Sequence, residues 1–452
     1  MRLTFLGATN TVTGSKFLIS LGNKKILIDC GLFQGLKDLR IRNWTKFPID
    51  PKTIDAVVLT HAHIDHTGYL PLLVKNGFSG KVYCSHATKD LCALLLPDSG
   101  YLQEEEAKFL NKHGGSKHTP ALPLYTKEDA EKTLPHLQPL TFKKMYKLDE
   151  ETYISLIPAG HILGATFVQF KHFNTTILFS GDLGRPDDII MHAPTEIQAA
   201  DYIVVESTYG NRLHNKVDPL DELSEIVTRT IARQGTVVIP AFAVGRAQHM
   251  LYLLYLLKTS GRIPNAPIYV DSPMAKNATQ LFVQYSELHR LSAEISQEVC
   301  KVAQYINSKE ESQALDLDPT PKIIISASGM LEGGRVLHHI KTFAPDPNST
   351  IVFTGYQAAG TRGADMISGK PSIKIFGESI PIKAEVKILS NMSAHADYEE
   401  ILEWLSHFNR RPRKVFITHG EPEAAQSLKE KIEERFGWKC LAPDYLHSEE
   451  LT

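Results

Sequence analysis

The chain has 452 residues, enough for two or three domains or for one domain carrying a large insertion. Its 42% apolar and 22% charged residues are those of a soluble globular enzyme, and a formal net charge of −2 excludes a globally basic nucleic-acid coat protein. A nuclease is not excluded, because a metal site and a local cationic groove bind phosphate without a basic isoelectric point. Cys30, Cys84, Cys92, Cys300 and Cys440 are scattered and form no Cys-x-x-Cys pair, so they read as buried thiols in a reducing compartment. No apolar run is long enough to span a bilayer, and no signal-like segment precedes Leu3. A cytoplasmic enzyme without membrane contact is expected.

In chain order, the first part reads as β-rich. Short strands are expected at residues 3–6, 16–21 and 25–29, divided by Gly, Asn and Thr turns. A strand at 56–60 feeds a histidine-rich loop, a helix follows at 69–75 and another strand at 81–85. Residues 87–135 are polar and helical, with an exposed loop at 113–118. Strands return at 152–158, 166–170, 176–180 and 202–206. The pattern then changes. Asp218-Pro219 reads as an N-cap followed by Pro at the first helical position, and Gly235 as a C-terminal stop. From there helices alternate with apolar strands at 236–241, 268–271, 322–326 and 350–354, which predicts a separate domain with a parallel sheet. After about residue 370, strands at 386–389 and 414–418 are each followed by a helix, near 398–408 and 423–436.

The densest chemistry is His61-Ala62-His63-Ile64-Asp65-His66, directly after Ala56-Val57-Val58-Leu59. Neutral imidazole and carboxylate are the ligands of catalytic zinc. His61 and His63, two apart in extended chain, point to one side, while Asp65 and His66 follow the turn and can face a second metal. His161, Asp182 and His419 each come at the end of an apolar strand, beside a Gly, and Asp182 offers a carboxylate able to bridge two metals. Taken singly, His161 or His419 reads as a core or surface histidine. The shared grammar with the first loop reverses that.

These residues resemble the metallo-β-lactamase superfamily: His61–His66, Asp29 in Leu27-Ile28-Asp29-Cys30-Gly31, His161 in Gly160-His161-Ile162-Leu163-Gly164-Ala165 and Asp182 in Ser180-Gly181-Asp182-Leu183-Gly184-Arg185. Later runs resemble the β-CASP nucleases, which include the cleavage and polyadenylation endonuclease and short bacterial and archaeal RNA-processing enzymes. These are Glu206-Ser207-Thr208-Tyr209-Gly210, Pro240-Ala241-Phe242-Ala243-Val244-Gly245-Arg246-Ala247-Gln248, Ser393-Ala394-His395-Ala396-Asp397 and His419-Gly420-Glu421. The resemblance covers nearly the whole chain. It implies an α/β fold, a metallo-β-lactamase αββα sandwich in two parts, 1–208 and 371–452, around an inserted β-CASP domain of mainly parallel sheet at 209–370. It implies two zinc ions, one held by His61, His63 and His161, the other by Asp65, His66 and His419, with Asp182 bridging. Asp29 would orient a ligand histidine. His395 would be the general acid and Glu206 its hydrogen-bond partner, beside the catalytic carboxylates Asp65 and Asp182.

The expected activity is hydrolysis of RNA phosphodiesters, leaving 5′-phosphate and 3′-hydroxyl ends, with in-line attack on phosphorus between two metals. Single-stranded RNA is the expected partner, selected without an appended RNA-binding domain, and a homodimer is compatible with the sequence. Glycine-rich loops at Ser326–Met330 and Gly355–Gly363 can cradle phosphate or can be plain turns. Ser328, Ser393, Arg246, Arg335 and Arg362 are candidate substrate contacts. The alternatives are a DNA-directed β-CASP nuclease, a small-molecule hydrolase of the wider superfamily and a catalytically dead scaffold subunit. His419 argues against the first, since DNA-processing relatives lack that histidine. The inserted domain argues against the second, and the full ligand set against the third.

Overall fold

A computed structural model describes residues 1–114 and 119–452. The chain divides into two compact units, Met1–Leu213 with His395–Thr452, and His214–Ala394. No helix among the described residues is long and apolar enough to cross a membrane.

The first unit is built on two seven-stranded sheets. One runs Ser448–Glu450, Arg2–Phe5, Phe17–Leu21, Lys24–Ile28, Ala56–Val58, Lys81–Ser85, Leu137–Leu140. The other runs Cys440–Leu441, Lys414–Thr418, Tyr202–Glu206, Thr175–Phe179, Thr166–His172, Thr152–Pro158, Tyr146–Lys147. Alternate residues point inward from both: Leu3 and Phe5, Ile26 and Ile28 from the first, Ile154 and Leu156, Val168 and Phe170, Ile177 and Phe179 from the second. These form one core, in which each large side chain stabilises the sandwich by about 1.5–3 kcal/mol. Helix His86–His113 packs on strands Lys81–Ser85 and Leu137–Leu140, and helix Pro422–Phe436 on strands Lys414–Thr418 and Cys440–Leu441. Sequence reasoning passed over the strand Ser448–Glu450, which pairs antiparallel with Arg2–Phe5. Three polar residues carry no apolar periodicity to announce it.

Within the second sheet, strands Thr175–Phe179, Tyr202–Glu206 and Lys414–Thr418 are mutually parallel. Thr152–Pro158, two antiparallel steps away through Thr166–His172, runs the same way. Their C-terminal ends therefore share one edge of the sheet. In the first sheet, Lys24–Ile28 and Ala56–Val58 are also parallel.

The second unit holds a six-stranded sheet, all parallel, in the order Gln304–Tyr305, Ile268–Asp271, Ile323–Ser326, Val237–Pro240, Thr350–Phe353, Glu385–Ile388. Asp218 caps helix Pro219–Ala232 by accepting from the Leu220 N–H, with Pro at the first turn, as expected. This unit runs on to Ala394, past residue 370 where sequence reasoning ended the insertion. The cause is strand Glu385–Ile388, which pairs with Thr350–Phe353 and so completes this sheet. The expected exposed loop at 113–118 falls on residues 115–118, which lie outside the described residues; His113 itself ends a helix.

Candidate metal centre

Asp29, His61, His161, Asp182, Glu206 and His419 all stand at or just past strand ends of the first unit, and the fold gathers them. His63, Asp65 and His66 come in on the turn after Ala56–Val58, where helix Ile64–Thr67 begins. Close approach of backbones sets that turn. A Cβ on Gly31 would sit 1.6 Å from the Asp65 carbonyl oxygen, and a Cβ on Gly181, which is at φ +51°, would meet Thr60 at 2.6 Å.

Donor atoms of His61, His63, His161 and Asp182 lie within 4.8 Å of one another, and so do those of Asp65, His66 and His419. Zinc–nitrogen bonds of about 2.05 Å put the corners of a tetrahedron about 3.3 Å apart. In the first group His61 Nε2 is 3.1 Å from His63 Nδ1, which is 3.3 Å from His161 Nε2. Asp182 Oδ2 is 3.3 Å from both His61 Nε2 and His161 Nε2. In the second, His66 Nε2 lies 3.2 Å from His419 Nε2, which lies 3.3 Å from Asp65 Oδ2. Asp182 Oδ1 is 3.2 Å from His66 Nε2 and 3.6 Å from His419 Nε2. The two oxygens of Asp182 thus face different groups.

The far ring nitrogens explain why these imidazoles turn lone pairs inward. Asp29 accepts from the Thr60 N–H and hydroxyl at 2.7 and 2.8 Å. Having donated, the Thr60 hydroxyl accepts from His61 Nδ1–H at 3.0 Å. His66 Nδ1–H donates to Asp29 Oδ2 at 2.7 Å. The Thr208 hydroxyl donates to the His419 carbonyl and accepts from His419 Nδ1–H at 3.1 Å. Protonated Nδ1 leaves Nε2 as the lone pair of the neutral ring in all three. Lone pairs then face carboxylate oxygens at tetrahedral-edge distances, and Asp182 Oδ1 is buried without a hydrogen-bond partner. A cation in each group relieves this, so the residues present fit zinc.

Charge follows the same lines. Burial pushes His61 down to about 3 and lowers His63 and His161 as well, so these rings are neutral. Burial also disfavours the charged form of His66, but the carboxylates of Asp182, Asp29 and Asp65 outweigh it and raise its pKa, so without a cation Nε2 of this ring holds a proton that an entering metal displaces to expose the lone pair. His395 Nδ1 is 3.0 Å from both oxygens of Glu206, and its Nε2 is 3.9 Å from Asp182 Oδ2. Burial works against its protonation, yet Glu206 and Asp182 raise it to about 9. Glu206 is held in turn by the N–H groups of Leu183 at 2.6 Å and Thr208 at 3.3 Å.

Thr60 and Thr208 were not singled out from the sequence. The available signal was position, since one immediately precedes His61 and the other lies two residues after Glu206. Removing the Thr208 hydroxyl by Thr208→Val is expected to weaken zinc binding by about 10- to 100-fold, through the Asp65, His66 and His419 group. Zinc titration against a competing chelator reads this, and an unchanged affinity would remove Thr208 from the account.

The substrate-contact candidates all belong to the second unit. Arg335 does not stand as a free surface charge: it donates to the fully buried Asp271 at 2.6 Å and to the Asn307 carbonyl at 3.0 Å. Arg362 donates to the carbonyls of Lys374 at 2.8 Å and Leu331 at 3.0 Å. Ser328 accepts from the Glu332 N–H at 3.1 Å. Arg246 and Ser393 are buried. Asp271 also takes His339 Nε2–H at 2.8 Å and the Ser312 hydroxyl. Asp271→Ala takes the acidic partner from the half-buried Arg335 and one of two carboxylates from the buried His339, which keeps Asp316 at 2.6 Å, and is expected to cost about 3 kcal/mol. The unfolding midpoint should fall by roughly 10 °C in calorimetry. A shift under 2–3 °C, on the order of 1 kcal/mol, would mean the network is not structural.

Family models match three stretches of the chain: the metallo-beta-lactamase superfamily over 11–134, the Beta-Casp domain over 247–366 and the Zn-dependent metallo-hydrolase RNA specificity domain over 379–443. The chain belongs to the β-CASP family of metallo-hydrolases within that superfamily. It is 38% identical to Ribonuclease TTHA0252 of Thermus thermophilus over 95% of either chain. It is 32% identical to Transcription termination factor FttA of Methanosarcina mazei, over 96% of this chain and 69% of the relative. The RNase J-like protein of Methanocaldococcus jannaschii is 29% identical over 97% of this chain and 96% of the relative. Among solved structures, a protein of unknown function from Enterococcus faecalis V583 shares the fold at a TM-score of 0.54 and 13% identity, covering 100% of this chain and 99% of that one.

Proposed function

We propose that this chain is a zinc-dependent ribonuclease that hydrolyses single-stranded RNA and leaves 5′-phosphate and 3′-hydroxyl ends. The observation that carries it is Asp182, whose two oxygens face two separate sets of donors at zinc-like spacings. On this reading His61, His63 and His161 hold one zinc, Asp65, His66 and His419 a second, and Asp182 both. RNA as substrate is supported by the RNA-specificity match over 379–443 and by the ribonuclease among the relatives. Five cysteines without disulfides fit a cytoplasmic site of action.

Zinc, when bound, supplies Lewis acidity at the phosphoryl group and a water acidic enough to attack near neutral pH. The chain's own residues do the rest. Asp29, Thr60 and Thr208 lock the tautomers of His66, His61 and His419, so the donor set is assembled before substrate arrives. Glu206 holds His395 by Nδ1 and favours its imidazolium, which leaves Nε2–H to protonate the departing 3′-oxygen. The test uses RNA oligomers labelled at either end, their circular form and the matching DNA. Cleavage of the circle with 5′-phosphate products supports an endoribonuclease. Faster cleavage of the DNA than of the RNA would overturn the assignment of substrate.

A further inference from the structure

Resting on the reading of the chain as a ribonuclease, we infer that the segment Leu36–Lys46 is a landing platform for single-stranded RNA, with Trp44 stacking on a base. Residues 37–46 carry Lys37, Arg40, Arg42 and Lys46 against one acid, Asp38, in a chain whose net charge is −2. No carboxylate neutralises them: among the described residues these four have no ion pair or side-chain hydrogen bond. Lys37, Arg40 and Lys46 are exposed, and helix Lys37–Arg42 buries no residue. Trp44 is 61% exposed, whereas Trp404 and Trp438 are buried. An exposed indole presents a large flat aromatic face to a partner. Set among unpaired cations, it is the combination that binds single strands: charge tracks the backbone and an aromatic face takes a base of any sequence.

The platform is tied to the metal loop by rigid contacts. Asn43 exchanges two hydrogen bonds with the backbone of Phe33, at 3.0 and 2.7 Å. Two residues back, Gly31 packs against the Asp65 carbonyl, and the Leu32 N–H donates to the Ile64 carbonyl at 3.0 Å. Arg42 lies over the rings of Phe33 and Tyr445, at 5.4 and 4.4 Å, so this cation is held by aromatic faces rather than by an acid. An RNA strand on Trp44 would therefore be anchored beside the loop that bears Asp65 and His66.

Tryptophan fluorescence tests this directly, because Trp44 is the exposed one of the three indoles. Full-length His395→Ala protein is titrated with a labelled single-stranded RNA, following anisotropy and indole emission together. The expected result is quenching that tracks binding and disappears with Trp44→Phe. Trp44→Ala should raise the dissociation constant about tenfold. Arg40→Gln with Lys46→Gln should flatten the plot of log Kd against log salt by about 1.4. Anisotropy change without quenching, an unmoved dissociation constant, or a Trp44→Ala effect on the mass of the particle rather than on RNA affinity would each overturn it. The last would make this face a contact between copies. Failure of the ribonuclease reading looks different: wild-type protein would bind RNA and quench, yet not cut it.

Discussion

Asp182→Ala is expected to empty both metal groups and lower RNA hydrolysis by at least about 10⁴-fold. One side chain can do this because its carboxylate is split. Oδ2 completes the tetrahedral-edge set with His61 and His161, and Oδ1 the set with His66 and His419. Truncation removes one donor from each group and the negative charge that would offset the two proposed dications. It also leaves an apolar gap where closed coordination is needed. Elemental analysis after exhaustive dialysis is the measurement. Wild-type protein should retain near two zinc per chain and the variant less than one. A variant that still holds two zinc would show that Asp182 is not the bridge.

His395→Ala is expected to lower kcat by about 10²- to 10⁴-fold while zinc content stays unchanged. On the proposed reading His395, 3.9 Å from Asp182 and with its Nδ1 engaged by Glu206, transfers a proton and does not ligate metal, which the unchanged zinc content tests. The ribose 3′-oxygen is a poor leaving group unless protonated, whereas p-nitrophenolate leaves without help. A p-nitrophenyl phosphodiester should therefore lose much less of its rate than RNA does. Because the acid acts when protonated, wild-type activity falls as pH rises through the pKa of His395. That pKa is raised to about 9 by Glu206 and Asp182 against the effect of burial, and bound dications would bring it lower. The alkaline limb should be missing from the variant. Equal losses on both substrates, or zinc lost with the imidazole, would remove the acid role.

Much of the candidate site was legible because its ligands obey a local rule. His61, His161, Asp182 and His419 stand where an apolar strand stops, and the run His61–His66 has no ordinary structural reason to hold three imidazoles. The alternation of helices and apolar strands after Asp218 likewise announced a parallel sheet. What escaped were groups whose meaning depends on a partner far away in the chain. Thr60 and Thr208 look like any threonine until Asp29 and the His419 carbonyl consume their protons. Arg335 looked like a candidate phosphate ligand until Asp271, 64 residues away, claimed it. Strand Glu385–Ile388 has a weak apolar pattern, and its pairing with Thr350–Phe353 assigns it to the second unit.

The sequence by itself determined the inventory: which residues can bind a metal, that they follow strands, and that helices and strands alternate between them. It could do so because side-chain chemistry and hydrophobic period are local properties. Only the tertiary structure decided how that inventory is divided and aimed. Which oxygen of Asp182 faces which histidines, and which ring nitrogen carries the proton, are set by contacts up to 354 residues apart, as between Asp65 and His419. Those depend on two sheets bringing their strand ends to one place, a relation that no window of sequence contains.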